Sequence, residues 1–117
     1  MFRRNQYHSV RRQTERAIRM AQAHGADVRN ICHFSASSYF TVYTNDEVIE
    51  VRVSGHEPNY AATDDRDYML YVGGPWCPSG DDTEAFREWC RFLQRKTGNP
   101  MPSRVKAFFT RRERRRL

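Results

Sequence analysis

Ser38–Ser54 reads SYFTVYTNDEVIEVRVS, and this stretch decides the fold. Its second half alternates without a break, with Ile49, Val51 and Val53 on one side and Glu50 and Arg52 on the other. Successive side chains of a strand point to opposite faces, so this is the pattern of a sheet with one buried face. The first half repeats it, with Phe40 and Val42 opposing Tyr39, Thr41 and Tyr43. Asn45-Asp46, between the halves, supplies side chains that bond to their own backbone and favour a turn. The two runs predict an antiparallel hairpin.

Working outward, Val28–Phe34 reads as a further strand, and Ser35–Ser38 as a turn of small residues. Tyr68–Val72 reads as a fourth strand, ended by Gly73-Gly74-Pro75. Gly55–Arg66 has no periodicity and reads as an exposed loop. Upstream, Val10, Thr14, Ala17, Ile18 and Ala21 recur at helical spacing, which predicts a helix capped by Ser9, running to about His24 and stopped by Gly25. Downstream, Phe86, Trp89, Cys90 and Leu93 follow the i, i+3, i+4, i+7 rule. Asp81 with Glu84 resembles a capping box at that helix's start, and Gly98 stops it. Ser103 can cap a last short helix with Val105, Phe108 and Phe109 as its apolar side.

The expected class is therefore α+β in the order α-β-β-β-β-α. It comprises an antiparallel sheet with two main helices on one face and a short basic C-terminal helix. Residues 1–103 form the expected domain and residues 104–117 a basic C-terminal element. A chain of 117 residues suits one core. Mean hydropathy is −0.88, so that core must be small and rely on its aromatics. No apolar run approaches the ~18 residues of a membrane span, and no apolar leader follows Met1. The three cysteines, Cys32, Cys77 and Cys90, are odd in number and widely spaced. Reduced thiols and a cytoplasmic location follow as expectations.

The net charge of +6 conceals a segregated layout. Residues 1–26 carry +5, residues 27–90 carry −8, and residues 91–117 carry +9. Basic ends flanking an acidic middle point to charged partners, or to neutralisation within the chain. Arg outnumbers Lys by eighteen to two. Arg binds phosphate through a bidentate fork, which makes Arg11, Arg12, Arg111, Arg112, Arg114 and Arg115 candidate phosphate ligands. Tyr7, Phe108 and Phe109 lie beside them in sequence and could stack on bases. Glu57, Asp64, Asp65 and Asp67 form the candidate acidic patch for a basic partner surface.

Common catalytic signatures are missing. His8, His24, His33 and His56 show no HxxxH spacing, and no CxxC or CxxH exists, so no metal site and no cofactor are expected. Trp76-Cys77-Pro78-Ser79 resembles the thioredoxin-type motif, but Gly80 stands where the resolving thiol would be. It reads as a loop anchored by Trp76. His56-Glu57 follows the best strand and could act as a general acid and base with Arg52 or Arg66 nearby. Adjacent residues on a strand point apart, however. The acids around Arg66 lack the glycine and spacing of a calcium loop. Walker A, G-x-G-x-x-G, G-x-S-x-G and H-E-x-x-H patterns are absent.

The runs S-A-S-S-Y-F-T-V-Y (35–43) and V-I-E-V-R-V-S-G-H-E (48–57) resemble a pattern in small phage and plasmid proteins, which often read S-x-S-x-Y, a strand, then I-R-[IV]-S-D-H. Here Gly55 stands in place of the usual Asp. The resemblance covers about a fifth of the chain and implies a mobile-element origin. It implies no defined chemistry; within that setting the acidic middle, awkward against a polyanion but suited to an arginine-lined groove, favours a non-enzymatic protein of the anti-CRISPR kind, which binds and inhibits a host protein or nucleoprotein complex. Two other expectations compete with it: a DNA- or RNA-binding phage regulator using the arginine-rich ends, and a small metal-independent nuclease using His56.

Overall fold

A computed structural model of the chain describes residues 2–34, 36–55, 66–73 and 82–117, with side chains from residue 10 onward. Helix α1 spans Phe2–Ala23, followed by strands β1 (Asp27–His33), β2 (Ser37–Tyr43), β3 (Val48–Ser54) and β4 (Tyr68–Tyr71). Helix α2 spans Thr83–Thr97, a 3-10 helix spans Ser103–Phe108, and a one-turn helix α3 spans Arg111–Arg114. The class and element order are the expected ones.

The hairpin forms in register, with Phe40 opposite Val51, Val42 opposite Ile49, and Tyr39 opposite Arg52. Strands run in the order β1-β2-β3-β4. The β1-β2 and β2-β3 pairs are antiparallel, whereas β4 lies parallel to β3, with Val51 opposite Tyr68. The sheet is thus mostly antiparallel but mixed. A parallel neighbour needs a connection of a dozen or more residues, and residues 55–67 are long enough to supply one.

One sheet face is buried under both long helices. Phe40, Val42, Ile49, Val51, Val53 and Leu70 meet Val10, Ala17, Ile18 and Ala21 of α1 and Phe86, Trp89, Cys90 and Leu93 of α2 in one core. Trp89 organises it. Its ring stands edge-on to Phe40 at 6.0 Å, tilts against Tyr68 at 5.0 Å and stacks on Phe92 at 5.7 Å. Its indole N–H donates to the Ala17 carbonyl at 3.1 Å, so the polar edge of a fully buried ring is satisfied. The small Ala17 and Ala21 let α1 approach closely, as the alanine-rich stripe predicts.

Two boundaries differ from expectation. Helix α1 starts at Phe2, so Ser9 lies inside it rather than capping it. Residues 2–8 contain no Gly or Pro, and extending an existing helix is far easier than nucleating one. Helix α2 begins after Asp82, whose carboxylate makes no cap bond and instead accepts from the Gly73 N–H at 3.0 Å. That bond ties the helix start to the end of β4, where an Asp81–Glu84 box was expected; Asp81 itself is outside the described residues. A true capping box occurs at α3, where the Thr110 hydroxyl accepts from the Glu113 N–H and Glu113 accepts from the Thr110 N–H. At the other end of α2, Gly98 takes a φ of 71° and its N–H bonds Gln94, the left-handed stop read from the sequence.

The C-terminal segment folds back along α1. Val105 and Phe109 are buried in the common core. The Arg104 guanidinium donates to the Ala23 carbonyl at 3.4 Å, Arg19 lies over the Phe108 ring, and Arg16 meets Glu113. The segment therefore runs antiparallel to α1, from its C-terminal end towards its middle.

Candidate nucleic-acid interface

Residues 97 apart in sequence anchor the two basic ends to each other. Arg16 donates to Glu113 Oε1 at 2.8 Å and to Oε2 at 3.4 Å, a bidentate pair with both side chains more than 90% buried. The guanidinium is also covered by the Phe86 ring, 3.9 Å from its centroid, and approached by Phe109 at 5.1 Å. Planar, weakly hydrated Arg suits such a slot, where Lys would not. The pair holds α3 beside the turn of α1 that carries Arg12, four residues before Arg16 and so on the same helix face.

This docking positions the predicted phosphate ligands. Arg11, Arg12, Arg111, Arg112, Arg114 and Arg115 are all exposed. Arg11 forms a long i,i+4 pair with Glu15 at 3.9 Å. Arg12, Arg111, Arg112, Arg114 and Arg115 have no ion pair among the described residues. They and exposed Arg19 are carried by α1, by α3 and by the residue after it, the two elements that the Arg16–Glu113 pair joins. Phe108 and Phe109, expected to stack on bases, are used differently. Phe109 is buried in the core, and half-buried Phe108 lies beneath Arg19. The side chain of Tyr7 is outside the described set.

The described acids, by contrast, are largely held in bonds within the molecule. Glu50 pairs with Arg66 at 2.7 Å, Glu47 with Lys96 at 3.0 Å, Glu84 with Arg87 at 2.8 Å, Asp27 with Arg29 at 2.8 Å, and Glu88 with Arg91. Of the proposed acidic patch, Asp67 accepts from the Glu50 N–H at 2.9 Å, a structural bond between the approach to β4 and strand β3. Glu57, Asp64 and Asp65 are outside the described residues, as are His56 and Trp76–Ser79.

The side chains that could have done chemistry are placed as follows. His24 is buried with Nδ1 bonded to the Met20 carbonyl at 3.0 Å, and His33 Nδ1 meets the Ser38 hydroxyl at 2.8 Å. Burial pushes the Cys90 thiol up to about 11, so it is not a thiolate at neutral pH. Burial, helped by Glu88, pushes Tyr68 up to about 12. Among the described residues no group of His, Cys, Asp or Glu could hold a metal ion, and no helix is long and apolar enough to cross a membrane.

The sheet face turned away from the helices is a second distinctive surface. Arg66 lies over the Tyr39 ring at 4.7 Å and Arg52 at 5.8 Å, and Phe34 stands edge-on to it at 5.7 Å. Sequence reasoning named Arg52 and Arg66 only as cations beside His56, and placed Phe34 and Tyr39 in strands without a site. It also missed Arg16 and Glu113. A signal for the latter was present: Glu113 is the sole acid after residue 90, three residues after Thr110 in a T-x-x-E pattern.

Comparisons with protein-family models, with curated proteins and with solved structures find no match to this chain.

Proposed function

We propose that this protein is a non-enzymatic nucleic-acid-binding protein that grips the phosphate backbone with the arginine ridge of α1 and α3. The observation that carries this reading is the buried Arg16–Glu113 pair, which ties α3 to α1 and so links the two basic ends, while most described acids of the middle segment are held in pairs of their own. A ridge of five or six unpaired guanidinium groups can displace as many counterions from a polyanion. The alternative of an acidic surface that occupies a basic groove of a host complex has less support. Asp67 is the one described member of that patch, and it bonds to backbone.

The test is a salt titration of binding to a labelled duplex and to a single strand. About five phosphate contacts predict that log K falls with log salt at a slope of about −4 to −5 for duplex. Replacing Arg112 and Arg115 with Ser should lower that slope by about 2 and weaken binding to all sequences alike. Absence of binding to both probes at low salt and micromolar protein would remove the reading. If a host protein then co-purified after nuclease treatment, the inhibitor reading would take its place.

A further inference from the structure

We infer that a hollow on the sheet face turned away from the helices, beside exposed Phe34 and half-exposed Glu50, holds a subsite for one unstacked guanine base of a single strand. The inference rests on the nucleic-acid reading above. A hollow of about 440 Å³ lies on this face, lined by Asn30, Cys32, Phe34, Tyr39, Thr41, Glu50 and Arg66, with Phe40 at its floor. That is within the range of small-ligand pockets, and a base with its sugar fits inside it.

Three observations converge on this occupant. The first is a stacking platform. Phe34 is 61% exposed, yet its ring is held edge-on against Tyr39, which is itself braced by Arg52 and Arg66. An aromatic fixed in place but open on one face offers itself to a planar partner, and single-stranded bases stack on such rings.

The second is a hydrogen-bond chain with a direction. The Asn30 amide donates to the Thr41 hydroxyl at 3.2 Å, Thr41 donates to Glu50 Oε1 at 3.3 Å, and Arg66 donates to Glu50 Oε2 at 2.7 Å. All these donors run towards Glu50. The valences left over include acceptors, namely the Asn30 carbonyl and the remaining lone pairs of the half-exposed Glu50 carboxylate, beside the N–H groups of Arg66. Guanine presents two adjacent N–H donors on its Watson–Crick edge, which match a carboxylate. Adenine presents one donor beside an acceptor and matches poorly.

The third is backbone strain. Asn30 has a φ of 59° at an irregularity where the β1-β2 register shifts between Arg29 and Cys32. Asn tolerates this region better than most residues, and a bulge re-aims the side chain of an edge strand. Here that side chain points to Thr41, at the head of the acceptor chain.

The experiment measures binding of an oligothymidylate carrying one central guanine against the same strand carrying one adenine, with a duplex as reference. The wild-type chain should prefer the guanine strand about tenfold. Glu50→Gln, which replaces an acceptor with a donor, should reduce the preference to under twofold. Phe34→Ala should weaken both single strands about tenfold. Both variants should keep duplex affinity and its salt slope, because neither residue is in the ridge. Guanine should slow alkylation of Cys32, read by peptide mass mapping, where adenine does not. Equal binding of the two strands by the wild-type chain, or a preference that survives Glu50→Gln, overturns the subsite while leaving the ridge intact. Loss of duplex binding in the ridge variant alone confirms the ridge separately. No binding to any probe overturns both.

Discussion

The two faces of the β2-β3 hairpin are built from alternate residues of the same two strands, yet they solve opposite problems. On the covered face Phe40, Val42, Val51 and Val53 are buried in the core that Trp89 organises. On the open face Tyr39, Thr41, Glu50 and Arg52 are linked by hydrogen bonds and guanidinium–ring contacts, and several atoms keep unused valences. Burial of apolar area dominates stability, at about 25 cal/mol per Å². The covered face therefore holds most of the molecule together, and the other face, where Ser37, Thr41 and Ser54 are also buried, is joined by polar contacts. The same division runs through the arginines. Arg16 is buried and structural, while Arg12, one turn away, is exposed and unpaired.

The largest expected effects lie on the covered side. Trp89→Ala should cost about 4 kcal/mol, because it removes the ring that joins both helices to the sheet and leaves the Ala17 carbonyl without its donor. Chemical denaturation measures this, and a loss under 1 kcal/mol would mean that the two faces do not divide the labour as stated. Glu113→Ala should cost about 3 kcal/mol, since it removes the carboxylate from a buried guanidinium and deletes the Glu113 half of the α3 capping box. The double replacement Arg16→Met with Glu113→Leu should recover most of that loss, because well-packed apolar groups often equal a buried pair. Failure of the double variant to recover would show that the pair contributes more than packing.

An intermediate effect concerns pH. Cys90 and Tyr68 lose their protons at higher pH in the folded chain, near 11 and 12, than their ordinary values of 9.0 and 10.0. Between those values the unfolded chain binds fewer protons than the folded one, so stability falls as pH rises. The contribution is complete below pH 9 and declines from about 9 upward. Melting temperature should be flat from pH 7 to 9 and then drop. Tyr68→Phe should remove the part of the drop between pH 10 and 12. The smallest effect belongs to the open face, where Phe34→Ala should change stability by less than about 0.5 kcal/mol. A larger loss would make that ring part of the core.

How much of this was legible beforehand varies with the range of the interaction. The hairpin was readable because Ile49, Val51 and Val53 alternate with Glu50 and Arg52 over a few residues. The α2 stripe was equally plain, and its four apolar positions are all buried. Boundaries were less so: nothing between Phe2 and Ser9 marks where a helix must start, and Asp82 was drawn from capping into a bond with Gly73. Of the candidate site, the arginines of both ends were identified by composition. Their convergence was not, and Phe109, read as a stacking residue, belongs to the core.

The sequence by itself determined the α+β class, the element order, the buried stripe of each helix and the inner and outer residues of the hairpin. Each follows from a period of two or of 3.6 residues, which any short window displays. Only the tertiary structure decided that β4 runs parallel to β3, that Arg16 reaches Glu113, and that Asn30, Thr41, Glu50 and Arg66 form one chain of hydrogen bonds. Those are pairings between residues far apart along the chain. No local period encodes them, because they depend on which buried faces pack together and on where that packing leaves the remaining polar groups.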